Sequence, residues 1–178
     1  MSGQTYYLHG KDQNVYLTQM DADTLQAQLD ELYFLVIDSY DVSSLGKEKI
    51  KAIEKWVKNG GWLLIGAGER GKDTLGGFDS SFMEVSCKRV SKVGEENDAS
   101  KEMQQLGSYS GFTGIDFSQM PVAKLQRNNI NASKSEAYPG WVYACGDGAI
   151  GVCAISFGEK QMQKASTDLC YGIYDQVA

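Results

Sequence analysis

Residues 33–71, YFLVIDSYDVSSLGKEKIKAIEKWVKNGGWLLIGAGERG, spell a strand, a loop, a helix, a turn, a second strand and a glycine loop in one uninterrupted run. Tyr33-Phe34-Leu35-Val36-Ile37 is apolar, aromatic and β-branched up to Asp38, the pattern of a strand covered on both faces, and it predicts a central strand of a parallel sheet. Over residues 47–58, Ile50, Ile53 and Val57 fall on one stripe at helical spacing, with Ala52 and Trp56 beside them and charged residues on the other side. Asn59-Gly60-Gly61 supplies residues that tolerate the left-handed conformation in which helices end. Trp62-Leu63-Leu64-Ile65 is the second buried strand. A strand, a crossover helix and a strand of this length predict parallel pairing with a right-handed connection.

The flanking chain adds to this unit. Two extended runs, Tyr6-Tyr7-Leu8 and residues 15–20, surround a turn, and Leu25, Leu29 and Leu32 mark a helix capped by Asp21 or Asp23. Strands are expected within 82–90 and 112–125, a polar excursion over 91–110, and a loop over 128–139. Asp147-Gly148 reads as the two-residue turn of a hairpin whose second arm, 149–157, is apolar on both faces and therefore internal. A closing helix is expected over 159–177, with Met162, Ala165, Leu169 and Ile173 on one stripe. Together these predict one α/β domain over residues 1–178: a flavodoxin-like three-layer sandwich with a mostly parallel central sheet and a C-terminal β-hairpin.

Charge and composition narrow the function classes. A net charge of −6 excludes a generally basic nucleic-acid surface, and the densest basic cluster, Lys88, Arg89 and Lys92, has no interleaved aromatics and reads as a solvated face. No run approaches the roughly 20 apolar residues that span a bilayer, and the N-terminus lacks the layout of a secretory signal, so a soluble segment is expected. Cys87, Cys145, Cys153 and Cys170 show no CxxC spacing, and His9 is the single histidine, so neither a metal site nor a cofactor is expected. The predicted hairpin sets Cys145 opposite Ile150 and Cys153 opposite Val142, on opposite faces, which leaves both thiols unbridged.

Gly66-Ala67-Gly68-Glu69-Arg70-Gly71 matches G-x-G-x-x-G after a strand, but Lys72-Asp73-Thr74-Leu75-Gly76-Gly77 starts a helix poorly and Glu84 arrives inside its strand rather than at the end of it, so a nucleotide site is the weakest reading. Asp38 and Asp41 offer a carboxylate pair, or an ordinary strand end followed by an Asx turn with Ser43 or Ser44.

The segments Val36-Ile37-Asp38, Trp56-Val57-Lys58-Asn59-Gly60-Gly61-Trp62-Leu63-Leu64-Ile65-Gly66, Gly146-Asp147-Gly148-Ala149-Ile150-Gly151-Val152 and Ile155-Ser156-Phe157 resemble the class I glutamine amidotransferase-like domain. More narrowly, they are similar to the version found in membrane-anchored proteins of Gram-positive bacteria. The resemblance implies an excised extracytoplasmic domain and a G-x-C-x-G elbow after the second strand, where Gly68 stands in place of the nucleophile. It also implies a late His and Glu, whereas His9 lies at the other end. The expected function is a noncatalytic binding or scaffold domain with no catalytic residues. The alternative is a hydrolase with a carboxylate site of Asp38, Asp41 and Glu69. Ligands of open α/β sheets lie beyond the carboxyl ends of the strands, which places the candidate binding residues at Asp38, Tyr40, Asp41, Gly68, Glu69 and Arg70, facing a small polar ligand or a partner protein.

Overall fold

The computed structural model describes residues 20–95, 116–135 and 138–162, together with the backbone of strands at 6–9 and 14–17. Strands β1 (Tyr6–His9) and β2 (Asn14–Leu17) form an antiparallel pair. A short helix α1 (Leu25–Gln28) runs into a 3-10 turn at Leu29–Glu31 and buries Leu25 and Leu29. Strand β3 (Phe34–Asp38), helix α2 (Lys47–Lys58) and strand β4 (Trp62–Gly66) come next as the pattern dictates, and β3 pairs parallel to β4. Ile50, Ile53, Trp56 and Val57 are the buried face of α2.

Beyond β4 the chain departs from a parallel alternation. A 3-10 turn at Gly68–Arg70 leads into α3 (Gly71–Gly76), only six residues long. Strand β5 (Val85–Ser91) then leaves the main sheet and pairs antiparallel with β6 (Val122–Arg127). Strands β7 (Ser133–Lys134), β8 (Gly140–Cys145) and β9 (Gly148–Cys153) return to it, giving the order β3-β4-β9-β8-β7. Its β3-β4 and β4-β9 pairings are parallel, and its β9-β8 and β8-β7 pairings antiparallel.

The fold is therefore mixed α/β with mostly antiparallel pairing over all its sheets and three short helices among the described residues, which corrects the flavodoxin-like, mostly parallel sandwich. One face of the sheet meets α2 through Leu35, Ile37, Leu63, Ile65, Ile150 and Val152. The other face, with Leu64 and Cys153, is packed by Phe117, Met120, Tyr138, Ile155 and Met162, which lie outside the α-helices. Among the described residues, that face is covered by turns, loops and the start of β6 rather than by a helix.

β3 is likewise corrected. It lies at an end of the sheet among the described residues, and β4 and β9 are the flanked strands. Leu35 and Ile37 are buried on one face, while Phe34 and Val36 on the other are half-buried, so the run is apolar on both faces although β3 has a single paired neighbour among the described residues. β9, buried along all six residues, fulfils the internal arm.

The hairpin turn is Gly146-Asp147 rather than Asp147-Gly148, with Cys145 opposite Gly148 and Cys153 opposite Gly140. Gly146 takes the left-handed φ of 64°, the position where a II′ turn needs glycine. Gly148 serves close packing instead, because a Cβ there would collide with the carbonyls of Val57 and Gly61 at the end of α2. The shift of two residues keeps the facing unchanged, and Cys87, Cys145 and Cys153 are all free thiols. Cys170, the closing helix beyond Met162 and most of the 91–110 excursion lie outside the described residues. No helix among the described residues is long and apolar enough to cross a membrane.

Candidate functional site

Three parallel strands, β3, β4 and β9, end side by side, so the segments after Asp38, Gly66 and Cys153 meet at one edge. Backbone bonds tie them together: Ser39 N donates to Gly66 O at 2.7 Å, and Ala67 N donates to Cys153 O at 2.9 Å.

Asp38 extends its carboxylate across this edge. Its Oδ2 accepts from Ser156 Oγ at 2.7 Å and from Gly158 N at 3.0 Å, and its Oδ1 accepts from Phe157 N at 2.8 Å. One carboxylate thus fastens the whole 156–158 segment. Gly66 lies beneath this bridge, and a Cβ there would run into Asp38 Oδ1. At Gly68, φ is 47°, and a Cβ would stand 2.7 Å from the Cβ of Ser156. Ser39, at φ 45°, is the one non-glycine residue with positive φ among the described residues, and it comes directly after Asp38.

Asp41 belongs to a separate cluster. Its Oδ1 accepts from Ser43 N at 3.1 Å and Ser43 Oγ at 2.6 Å, the Asx turn that caps a 3-10 turn at Val42–Leu45. Its Oδ2 lies 3.7 Å from Arg70 Nη2, and Arg70 Nε lies 3.4 Å from Asp73 Oδ2. Both contacts are longer than the roughly 2.7–2.9 Å of a strong charge-assisted bond, so the guanidinium is loosely held. The Tyr40 hydroxyl accepts from Ser44 Oγ at 3.0 Å. Glu69 is exposed. The six sequence-derived residues therefore share one edge but form two groups, Asp38 with the 156–158 segment and Asp41 with Arg70.

Ser156, Gly158 and Glu159 escaped the sequence reading as site residues. Their tie to Asp38 spans 118 residues for Ser156, and no local pattern announces it. Partial burial pushes the Glu159 carboxyl above its ordinary pKa, and the charges of Asp38 and Glu69 push it the same way. Among the described residues, no group of three or more His, Cys, Asp or Glu is arranged to hold a metal ion.

No family model matches the sequence, and no curated protein sequence does so. Among solved structures, the chain is similar to the cytoplasmic protein STM3548 from Salmonella typhimurium, with a TM-score of 0.53 and 11% identity over 98% of this chain and 95% of that one. That likeness is one of fold alone. The exo-beta-1,4-mannosidase Op5Man5 from Opitutaceae bacterium strain TAV5 superposes with a TM-score of 0.44 and 13% identity over 83% of this chain, which spans 25% of that one.

The three described thiols are poor nucleophiles. Burial pushes Cys153 up to about 12, and it raises Cys87 and Cys145 above the ordinary thiol value as well. A thiol so raised is protonated near neutral pH, and only the thiolate attacks. In native protein, mass spectrometry after iodoacetamide treatment near neutral pH is expected to find Cys153 unmodified and Cys87 and Cys145 labelled more slowly than a free thiol. Labelling of native Cys153 at the rate seen in denaturant would contradict this.

Proposed function

We propose that the chain is a noncatalytic glutamine amidotransferase-like domain that binds a small polar ligand or a partner protein at the carboxyl edge of β3 and β4. The extracytoplasmic placement implied by the resemblance is part of the same proposal. The observation that carries it is the crowding at Gly68. In the resemblance this residue occupies the nucleophile's position, and here its φ of 47° and the 2.7 Å approach of Ser156 leave no room for a side chain. A working elbow needs that room and a base within hydrogen-bond reach. His9 belongs to β1, whose side chains lie outside the described residues.

The hydrolase reading asks Asp38, Asp41 and Glu69 to share acid and base roles. Asp38 accepts three hydrogen bonds from the 156–158 segment and Asp41 two from Ser43, so these two carboxylates are held in separate local contacts and do not face one another as an acid and base pair would. On the binding side, Arg70 is half-exposed, and its long ion pairs with Asp41 and Asp73 can yield to a better-placed acceptor.

The purified chain is expected to turn over neither glutamine nor simple esters or glycosides. Amide shifts on addition of a library of polar metabolites and peptidoglycan fragments are expected to cluster in residues 38–41 and 66–70. Turnover that Asp41→Asn or Glu69→Gln removes would establish the hydrolase reading instead, and shifts confined to other surfaces would reject this binding edge.

A further inference from the structure

The two-stranded ribbon of β5 and β6 carries charge of one sign. Its sequences, VSCKRVS and VAKLQR, contain Lys88, Arg89, Lys124 and Arg127 and no acidic residue, in a chain whose net charge is −6. Lys92 comes directly after β5. The register sets Arg89 opposite Lys124, beside an irregularity in the pairing between Cys87 and Arg89. Like charges placed directly opposite one another weaken a strand pair, so this arrangement is not one that stability alone favours.

The ribbon's facing is set by what packs on it. Cys87 and Ala123 touch the start of α3 at Gly71, which makes theirs the inner face. The shift after Cys87 carries Arg89 to the opposite face, with Lys124 as its partner there. Arg127 is already engaged, with its guanidinium 5.6 Å from the Trp141 ring centroid and Nη1 donating to Ala132 O. Lys88, Arg89 and Lys92 are exposed and form no ion pair among the described residues, and the carboxylate of Glu95 at this end accepts from the backbone N of Lys92 at 3.1 Å.

We propose that the outer face of this ribbon docks an acidic polypeptide segment of a partner protein, whose carboxylates Lys88, Arg89 and Lys92 receive. Charge complementarity selects the occupant. A cationic face on an otherwise acidic molecule steers an anionic partner to one place and repels it elsewhere. Single-stranded nucleic acid is disfavoured, because the ribbon offers no aromatic side chain on which a base can stack and the net charge opposes a long polyanion. This surface is distinct from the carboxyl edge of β3 and β4, so the two proposals fail independently.

The test is fluorescence anisotropy of a labelled decaglutamate peptide with the full chain. Binding is expected at low ionic strength and is expected to weaken steeply as salt shortens the Debye length to about 8 Å near physiological strength. Lys88→Ala with Arg89→Ala is expected to weaken it at least about tenfold, with a further loss on Lys92→Ala, because each exposed cation steers the peptide. Lys51→Ala on α2 is the control for general charge and leaves binding unchanged. Circular dichroism checks that the variants fold, and the single Arg89→Lys variant, which keeps the charge, is expected to retain most of the affinity. Peptide binding indifferent to Lys88 and Arg89 would overturn the proposal. So would preferential binding of an oligonucleotide of equal charge at the same residues. Absence of binding at low salt would overturn it as well, and if binding then appeared only once Glu96 and Asp98 were neutralised, the chain's own acidic run would be the occupant.

Discussion

Ile53→Ala is expected to lower the free energy of unfolding by about 2–5 kcal/mol, the range for truncating a large buried aliphatic side chain. Ile53 is fully buried on the face of α2 that covers the sheet, in the same cluster as Leu63, Ile65, Ile150 and Val152. Removing its branched side chain leaves a cavity between a helix and strands that are themselves fixed by parallel pairing on both sides of β4. Two residues earlier on the same helix, Lys51 is exposed, and Lys51→Ala is expected to change stability by no more than about 0.5 kcal/mol. Urea unfolding of the two variants measures both values. Equal losses would mean that α2 presents a different face to the sheet.

The local unit around α2 was legible because its signals are short-range. The stripe of Ile50, Ile53 and Val57, the stop at Asn59-Gly60-Gly61 and the apolar runs on either side each specify one element. The crossover length then forces the parallel pairing of β3 with β4. The pairing on the far side of β4 was not legible, because nothing near Trp62 says that its second neighbour is Ala149, 87 positions later. The sequence also misplaces β3. An apolar run reads alike whether one or two strands flank it, and only the pairing shows that β4 is the single sheet neighbour of β3 among the described residues. The hairpin shows a third kind of limit. Two glycines, Gly146 and Gly148, flank Asp147, and the pattern cannot say which serves the turn and which serves close approach to α2.

At the candidate site the split was similar. The residues just after β3 and β4 were placed at the same edge by topology, and the Asx turn at Asp41 was readable from Asp41-Val42-Ser43. The partners of Asp38 were not, since Ser156, Phe157 and Gly158 look like the ordinary end of a strand. Asp38 itself therefore changes meaning, from a free carboxylate at a ligand edge to the group that fastens the end of β9 over the glycine turn.

Asp38→Ala is accordingly expected to destabilise the fold by about 2–4 kcal/mol, less than the simple sum of three charge-assisted bonds at about 1.5–3 kcal/mol each. Two effects reduce the sum. The carboxylate is only partly buried, so the released amides of Phe157 and Gly158 regain some hydration, and its removal relieves the repulsion that Glu159 feels from Asp38. Ser156→Ala removes one of the three bonds and is expected to cost about 1–2 kcal/mol, with a double variant well short of additive because both changes break the same contact. Gly66 supplies the sharper discrimination. In the native chain Gly66→Ala drives a methyl group into Asp38 Oδ1, so the carboxylate must leave its three donors, and the loss is expected to match that of Asp38→Ala. Once Asp38 is alanine that collision is gone, and the remaining obstacle is the 3.0 Å approach of the Phe157 ring, which a side chain can relieve by a small rotation. Gly66→Ala is therefore expected to cost much less in the Asp38→Ala background, with a coupling of about 1–3 kcal/mol between the two positions. Strictly additive losses in urea unfolding would show that Asp38 does not reach across Gly66, and the fastening of the 156–158 segment would have to come from elsewhere.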